Sequence, residues 1–178
     1  MNKTISDVKK IILELSESRG VKKGHIINVV KYSLFLAKKL KADREICEIA
    51  AWLHDIDKLK GGKEGHHIRG AKDAEEILTK LKYPKDKIKK VCYCILTHSS
   101  DKNYLPKTLE AKIVASADAL AHFDDFLEIV YFYYNRGLTI DETRDRILKK
   151  ADKSFNKMMP YAKKLAKKRY DAIKILLK

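Results

Sequence analysis

The chain has 178 residues, of which 45% are hydrophobic and 35% charged, a composition that excludes an intrinsically disordered protein. Its formal net charge is +15, and residues 139–178 carry 13 Lys and Arg against 5 Asp and Glu. We interpret this excess as solvated, lysine-rich helices, because no nucleic-acid-binding motif accompanies it. Nucleic acid is therefore the less favoured partner.

No apolar run approaches the ~18 residues of a membrane span, and the first residues lack the pattern of a secretory signal. We therefore expect a cytoplasmic protein without a membrane partner. The three cysteines, Cys47, Cys92 and Cys94, form no Cys-x-x-Cys pair, so they predict neither a disulfide framework nor a zinc knuckle.

Helical periodicity runs along the chain and strand alternation is absent, so we predict an all-α fold. Helices are expected at about 6–18, 25–40, 43–55, 68–81, 84–98 and 108–134, and a seventh opens at a capping box at 139–142. Glycines mark a loop at 60–65, and Pro160 breaks the last helical region. The prediction is a single helical bundle, residues 1–178, of about seven helices. Its motif-bearing core covers about 20–125, and its basic helical C-terminal part covers 139–178.

Six side chains of metal-binding type are spaced along this scheme. They are His25, His54, Asp55, His67, His98 and Asp118. Five of the six fall at predicted helix ends, where side chains from several helices converge on one mouth of a bundle. Four imidazoles and two carboxylates without a thiolate favour Mn, Fe, Co, Ni or Zn, and metal-bound water is a nucleophile near neutral pH. The set therefore predicts metal-dependent hydrolysis, whereas His66 is interpreted as an ordinary surface or core histidine.

The order of these residues resembles that of the HD-domain superfamily of metal-dependent phosphohydrolases. The stretch 53–58, Leu-His-Asp-Ile-Asp-Lys, resembles the family's His-Asp-Ile-Gly-Lys core. His25 resembles the residue of the opening helix, and the stretches 67–71, 97–98 and 116–120 resemble the later elements. The resemblance covers about residues 20–125 and implies an HD-type helical fold. Asp57 replaces the glycine of the commonest family form; it could bind substrate or water, or cap a helix.

The resemblance also implies a role for each residue. The ligands of a first metal ion correspond to His25, His54, Asp55 and Asp118. His67 and His98 correspond to the pair that holds a second ion in dinuclear members, with Asp55 bridging, or that faces substrate phosphate in mononuclear members. One or two divalent ions are thus expected.

Two further side chains are candidates for substrate contacts. Lys58 follows Asp55 by three positions, so it shares roughly that helix face and can reach a phosphate; we assign Asp55 and Lys58 as catalytic. His122 is four residues after Asp118 on one helix face, where it supports the metal ligands, contacts substrate or packs as an ordinary histidine.

The favoured function is a metal-dependent phosphohydrolase, of phosphatase or phosphodiesterase type, that acts on a nucleotide or related small phosphate ester. One alternative is a dinuclear-iron HD-type oxygenase, which iron content and oxygen-dependent turnover would distinguish. Another is a non-catalytic nucleotide- or nucleic-acid-binding module, which a steep salt dependence without metal dependence would favour. The exact substrate, the ion and the oligomeric state stay open.

Overall fold

The computed structural model describes residues 3–19 and 23–177. All regular structure in these ranges is helical and no strand occurs there, which confirms the all-α prediction. The helices that the described ranges contain are, in chain order, α1 (Lys3–Ser18), α2 (Gly24–Leu40), α3 (Arg44–Leu53), α4 (Ile56–Leu59), α5 (His66–Lys80), α6 (Lys85–Thr97), α7 (Leu109–Asp124), α8 (Phe126–Tyr134), α9 (Ile140–Lys157) and α10 (Pro160–Leu176). These ranges contain more helices than the predicted seven for three reasons. The predicted helix over 108–134 is divided into α7 and α8, the short helix α4 is added, and α10 forms a separate helix from Pro160.

Several helix starts are fixed by side chains that satisfy the free backbone N–H groups of a first turn. Asp43 accepts hydrogen bonds from two N–H groups of α3, at 3.0 and 3.2 Å, and Thr108 accepts one from α7. Thr139 and Glu142 form the reciprocal capping box that the sequence predicts at the start of α9. Pro160 occupies the first turn of α10, where its missing N–H costs nothing. These local rules explain why the predicted boundaries agree with the observed ones here.

Helix α7 is the central element, because it is buried on almost every side. Many of its buried residues are alanines, whose small side chains let α2, α3, α6, α9 and α10 approach closely. One buried apolar cluster joins α7 to the helices that precede it, and a second joins α7 to α9 and α10. Asp118 is a charged side chain on this buried helix, only 5% exposed, so it lies where the two clusters meet.

The predicted helix over 108–134 is in fact two helices. Asp125 leaves the helical conformation (φ −85°, ψ 18°) and separates α7 from α8. Its carboxylate accepts hydrogen bonds from His25 Nδ1 at 2.6 Å and Asn28 Nδ2 at 2.9 Å, both on α2. This break therefore coincides with a tertiary contact, which helical periodicity cannot reveal.

The region around the His-Asp doublet also departs from the prediction. The chain leaves the helix at Asp55 (φ −111°, ψ 21°) and makes the short helix α4 before the predicted loop at 60–65. Helix α5 then begins at His66, two residues earlier than predicted. Within the described ranges, no helix is both long enough and apolar enough to cross a bilayer.

Candidate metal centre

Four of the predicted ligands come together from three parts of the fold. His25 lies at the start of α2, His54 and Asp55 lie at the break between α3 and α4, and Asp118 lies within α7. His25 Nε2 is 3.2 Å and His54 Nε2 is 4.0 Å from Asp118 Oδ1, and His54 Nε2 is 3.4 Å from Asp55 Oδ2. Donor atoms of His25, His54 and Asp55 lie within 4.8 Å of one another. One ion could therefore contact several of these atoms at once.

The Asp55 carboxylate separates this group from a second one. While Oδ2 faces His54, Oδ1 lies 3.6 Å from His66 Nε2 and 3.5 Å from His98 Nε2. The two latter nitrogens are 3.3 Å apart. One carboxylate oxygen thus faces each group, which is the arrangement that a bridging ligand requires.

His66 lies beside Asp55 and His98, where the sequence predicted His67 to lie. The Nε2 atom of His67 lies 3.5 Å from Asp101 Oδ2, and its ring packs edge-on against Tyr104. In the described part of the chain, His67 is in none of the clusters whose donor atoms converge, whereas His66 groups with Asp55 and His98. The interpretation of His66 as an ordinary histidine therefore does not match its position. A metal role for His67 stays a prediction, and the arrangement favours His66 in its place.

Backbone carbonyl groups fix the orientation of two of the imidazoles. His54 Nδ1 lies 2.8 Å from the Ala51 carbonyl oxygen, and His98 Nδ1 lies 2.6 Å from that of Ile95. A carbonyl oxygen can only accept, so each Nδ1 carries a proton, and Nε2 is the nitrogen that could bind a metal ion. Histidine ligands of metals are commonly held in this way.

A carboxylate fixes the third imidazole. His25 Nδ1 donates to Asp125 Oδ2 at 2.6 Å, while its Nε2 faces Asp118. Burial alone would lower the pKa of His25, but the hydrogen bonds to Asp118 and Asp125 outweigh burial and raise it to about 9. The position between two carboxylates is therefore one that favours a positive charge.

Unsatisfied buried atoms show that the residues present fit a metal ion. His54 Nε2 and Asp55 Oδ1 are buried and make no hydrogen bond, although such atoms are normally paired. Burial would raise the pKa of Asp55, yet the charges of His54 and Lys58 hold it well below its usual range, so the carboxylate is ionised. Imidazole nitrogens and carboxylate oxygens are suitable ligands for divalent transition metals. These clusters could hold such an ion.

A cleft of about 350 Å³ opens beside the two groups. Four lysines line it, one from the turn after the His-Asp doublet and three from α9: Lys58, Lys150, Lys153 and Lys157. His66, His67, His98 and Asp118 line the same cleft, so the structure places His67 at the cleft although not in the Asp55–His98 group. The basic C-terminal part was expected to be a solvated face, but one face of α9 contributes directly to this cleft.

Lys157 makes the most direct of these contacts. Its Nζ donates to Asp118 Oδ2 at 2.5 Å and to the His98 carbonyl oxygen at 3.1 Å. Burial would raise the pKa of Asp118, but Lys157 and His122 hold it well below its usual range. Since Oδ2 is held by Lys157, Oδ1 is the oxygen that faces the histidines.

His122 lies between the metal cluster and α9. Its Nε2 is 3.5 Å from Asp118 Oδ1 and 3.2 Å from Lys150 Nζ, and its Nδ1 is 3.0 Å from Ser154 Oγ. The ring stacks on that of His25 at a centroid distance of 5.2 Å. Burial lowers the pKa of Lys150 to about 8, although Asp118 opposes the shift. His122 lines the cleft, and its role as a substrate contact stays a prediction.

Asp125 and the lysines of α9 were not predicted from the sequence as site residues. Lys150, Lys153 and Lys157 recur at positions i, i+3 and i+7, a spacing that places them on one helix face. That signal was present in the sequence but did not indicate what the face packs against. For Asp125 no local signal exists, because its role follows from the contact with His25.

Comparison with known proteins identifies the family. The HD-domain model matches residues 23–122, more than half of the chain, and the chain therefore belongs to the HD-domain family. Over 131 residues it is 31% identical to tRNA (cytidine(56)-2'-O)-methyltransferase of Picrophilus torridus, and over 98 residues 36% identical to ribonuclease Y of Alkaliphilus metalliredigens. The matched segments span 36% and 19% of the length of these relatives.

The fold is also similar to that of Bacillus subtilis YpgQ. Its crystal structure superposes with a TM-score of 0.76 at 19% identity, covering 98% of this chain and 92% of YpgQ. YpgQ has also been solved in complex with ADP, and that structure gives a TM-score of 0.73. At this level of identity the likeness shows a shared helical fold.

Proposed function

We propose that this chain is a metal-dependent phosphohydrolase that cleaves a phosphate ester of a nucleotide or a related small molecule. The observation that carries the proposal is the direct connection between the imidazole–carboxylate cluster and a cleft lined by four lysines. A cluster of this kind suits a divalent ion, and adjoining ammonium groups suit the negative charge of a phosphate ester. The combination fits a phosphorylated substrate better than it fits a neutral one.

We assign the residues of the cluster as follows. One ion would be held by His25, His54, Asp55 and Asp118, and a second by Asp55, His66 and His98. When bound, such an ion polarises a phosphoryl oxygen and lowers the pKa of bound water. The imidazoles are oriented by acceptors of their Nδ1 protons, namely the carbonyl oxygens of Ala51 and Ile95 and the carboxylate of Asp125. Lys157 orients Asp118 by holding one of its two oxygens.

The remaining lysines would bind the substrate. Lys58 pairs with Asp55 Oδ2 at 2.9 Å, and burial would lower its pKa, but Asp55 and Asp118 raise it, so it is charged. Lys150 of α9 contacts His122 and lines the same cleft. Ammonium groups supplied by both helices, α4 and α9, can neutralise the charge that develops on a phosphoryl group in the transition state. Asp55 and Lys58 thus keep the catalytic roles expected from the sequence.

The relatives support a phosphate-ester substrate. YpgQ has been crystallised with ADP, and ribonuclease Y is named for action on RNA. This chain spans only a fraction of the curated relatives, so their complete activities are no guide to its own substrate. A nucleotide is the substrate class that the cleft favours, and the ADP complex of YpgQ supports the same choice.

The proposal is tested by a turnover screen. Purified protein is incubated with nucleoside mono-, di- and triphosphates while Mn, Co, Ni, Fe and Mg are supplied in turn, and released phosphate is measured. We expect turnover with at least one transition metal and none in the Asp55→Ala variant, whose helical circular dichroism should match that of the wild type. Wild-type activity in Asp55→Ala, or no turnover with any ion, would contradict the proposal. Oxygen uptake during the iron assays would support the oxygenase alternative instead.

A further inference from the structure

A second cleft adjoins the metal cluster on the side of α8. It has a volume of about 250 Å³ and shares Lys58, His122 and Lys150 with the lysine cleft. His25 and Asp55 of the metal cluster also line it. The two clefts therefore share part of their lining at the candidate site. Their joint volume is in the range of roughly 300–1,000 Å³ that is typical of small-molecule sites.

The wall of this second cleft is aromatic. Ile129, Phe132 and Tyr133 lie on one face of α8, at positions i, i+3 and i+4, and all three line the cleft. Phe132 is 49% exposed, and its ring meets that of Tyr133 at a centroid distance of 5.4 Å and an angle of 68°. Arg136 Cζ lies 4.1 Å from the Phe132 ring centroid, a cation–π contact that restrains the ring. An exposed aromatic ring is thus held in place beside the catalytic cluster.

Charge distinguishes the two clefts. Both clefts are lined by Lys58 and Lys150, and the lysine cleft adds Lys153 and Lys157. The part of the aromatic cleft that α8 and its N-cap contribute holds two carboxylates, Asp125 and Glu128, and no lysine. Carboxylates repel phosphate, so the anionic part of a ligand is favoured on the lysine side. The α8 side suits an uncharged, flat, apolar group with polar edges. A nucleotide has both parts, joined by a sugar.

We propose that the aromatic cleft binds the base of a nucleoside phosphate by stacking on Phe132, while the phosphates extend towards Lys58 and Lys150. This inference rests on the proposed function, since it assigns the non-reacting part of the same substrate. Bases stack on aromatic side chains with little dependence on their identity. Phe132 therefore favours phosphorylated ligands that carry a base over those that lack one, with little preference among the bases.

The test compares two probes that carry the same diphosphonate head group. The first is α,β-methylene-ADP, and the second is methylenediphosphonate, which lacks base and sugar. Binding of both is measured by calorimetry at a fixed free concentration of Mn²⁺, on the wild type, Phe132→Ala, Phe132→Trp and Tyr134→Ala. Tyr134 is the matched control, because it is an exposed aromatic residue of α8 that lines a different groove, beside Ile140 and Leu176.

We expect Phe132→Ala to weaken binding of α,β-methylene-ADP roughly 5- to 150-fold, the equivalent of about 1–3 kcal/mol for a lost base stack. Methylenediphosphonate should bind the variant as it binds the wild type. Phe132→Trp should retain nucleotide binding, and Tyr134→Ala should leave both affinities unchanged. An equal loss for both probes, no loss for either, or a wild type that does not prefer the nucleotide would overturn the assignment. The readout is binding rather than turnover, so failure of the base assignment is distinguishable from failure of the proposed hydrolase activity.

Discussion

At the scale of single residues, the adjacent histidines of α5 show why position in a helix decides function. His67 shares a buried stripe with Gly70, Ala74 and Leu78, which is the face that packs into the bundle. His66 is offset from that stripe by about 100°. Side chains in the first turn also point back past the helix start, here towards Asp55 and His98. The buried stripe therefore turns His67 away from Asp55 and His98, although it still lines the cleft, and leaves His66 beside them.

A pair of matched variants tests this assignment. His66→Ala should lower the metal content of protein loaded under saturating metal from about two equivalents towards one, because a nitrogen facing Asp55 and His98 is lost. His67→Ala should retain the metal content of the wild type. Elemental analysis measures both. The assignment of His66 would be wrong if only the His67 variant lost metal.

The lysines offer a second residue-scale prediction. Lys58→Ala and Lys150→Ala should each lower kcat/KM by about tenfold to a thousandfold, the effect of removing one charged contact from a transition state. Lys149→Ala should leave it nearly unchanged, because Lys149 is exposed and lies outside the cleft lining. Steady-state kinetics with the best nucleotide from the screen provide the measurement. Equal losses in the Lys149 variant would point to a general effect of net charge.

At the scale of elements, the turn after the His-Asp doublet is held by the residue that departs from the family pattern. Arg69 donates two hydrogen bonds to the Asp57 carboxylate, at 2.9 and 3.0 Å, and one to the Glu64 carbonyl oxygen at 2.8 Å. A side chain at Gly62 would overlap the same carboxylate. Asp57 thus joins α4, the loop at 60–65 and α5. The structure indicates a role in holding the turn, which was left open by the sequence.

A double-mutant cycle tests this contact. Gly62→Ala should lower the free energy of unfolding by about 1–3 kcal/mol, because the added methyl group displaces the Asp57 carboxylate. In an Asp57→Ala background the same change should cost much less, since the overlapping atoms are gone. Urea unfolding followed by circular dichroism gives the four values. If the effects of the two substitutions were additive, the close approach of the Asp57 carboxylate would not be the reason for glycine at position 62.

The elements also show how far sequence reasoning extends. Caps at Asp43 and Thr139 predicted helix starts, because capping depends on residues only two or three positions apart. The break at Asp125 was not predicted, because it coincides with a partner 100 residues away in the chain. The same distinction holds for the site: ligand types and order were visible in the sequence. The role of His66 and that of the lysine face of α9 could not be predicted, because they depend on how α5 and α9 pack in the fold.

At the scale of the whole molecule, the cluster should couple metal binding to stability. An ion that binds only the folded chain stabilises it by about 2.7 kcal/mol at about a hundredfold excess over its Kd. For a chain of this size that corresponds to a rise in Tm of roughly 5–10 °C. Thermal unfolding with EDTA and with added Mn, Co or Ni measures the shift, and Asp55→Ala should abolish it. A similar shift in that variant would place the binding elsewhere.

The wide separation of the ligands along the chain has a consequence for folding kinetics. His25 meets Asp118 and Asp125 across 93 and 100 residues, so this half of the cluster forms only when α2 packs on α7. Closing such long loops is slow, and contacts of this kind tend to be incomplete in the folding transition state. A bound ion should then leave the refolding rate nearly unchanged and reduce the unfolding rate. Stopped-flow measurements in urea, with and without metal, should show a chevron whose unfolding limb alone is displaced. In this chain a bound ion would therefore lengthen the lifetime of the folded state without helping the chain to reach it.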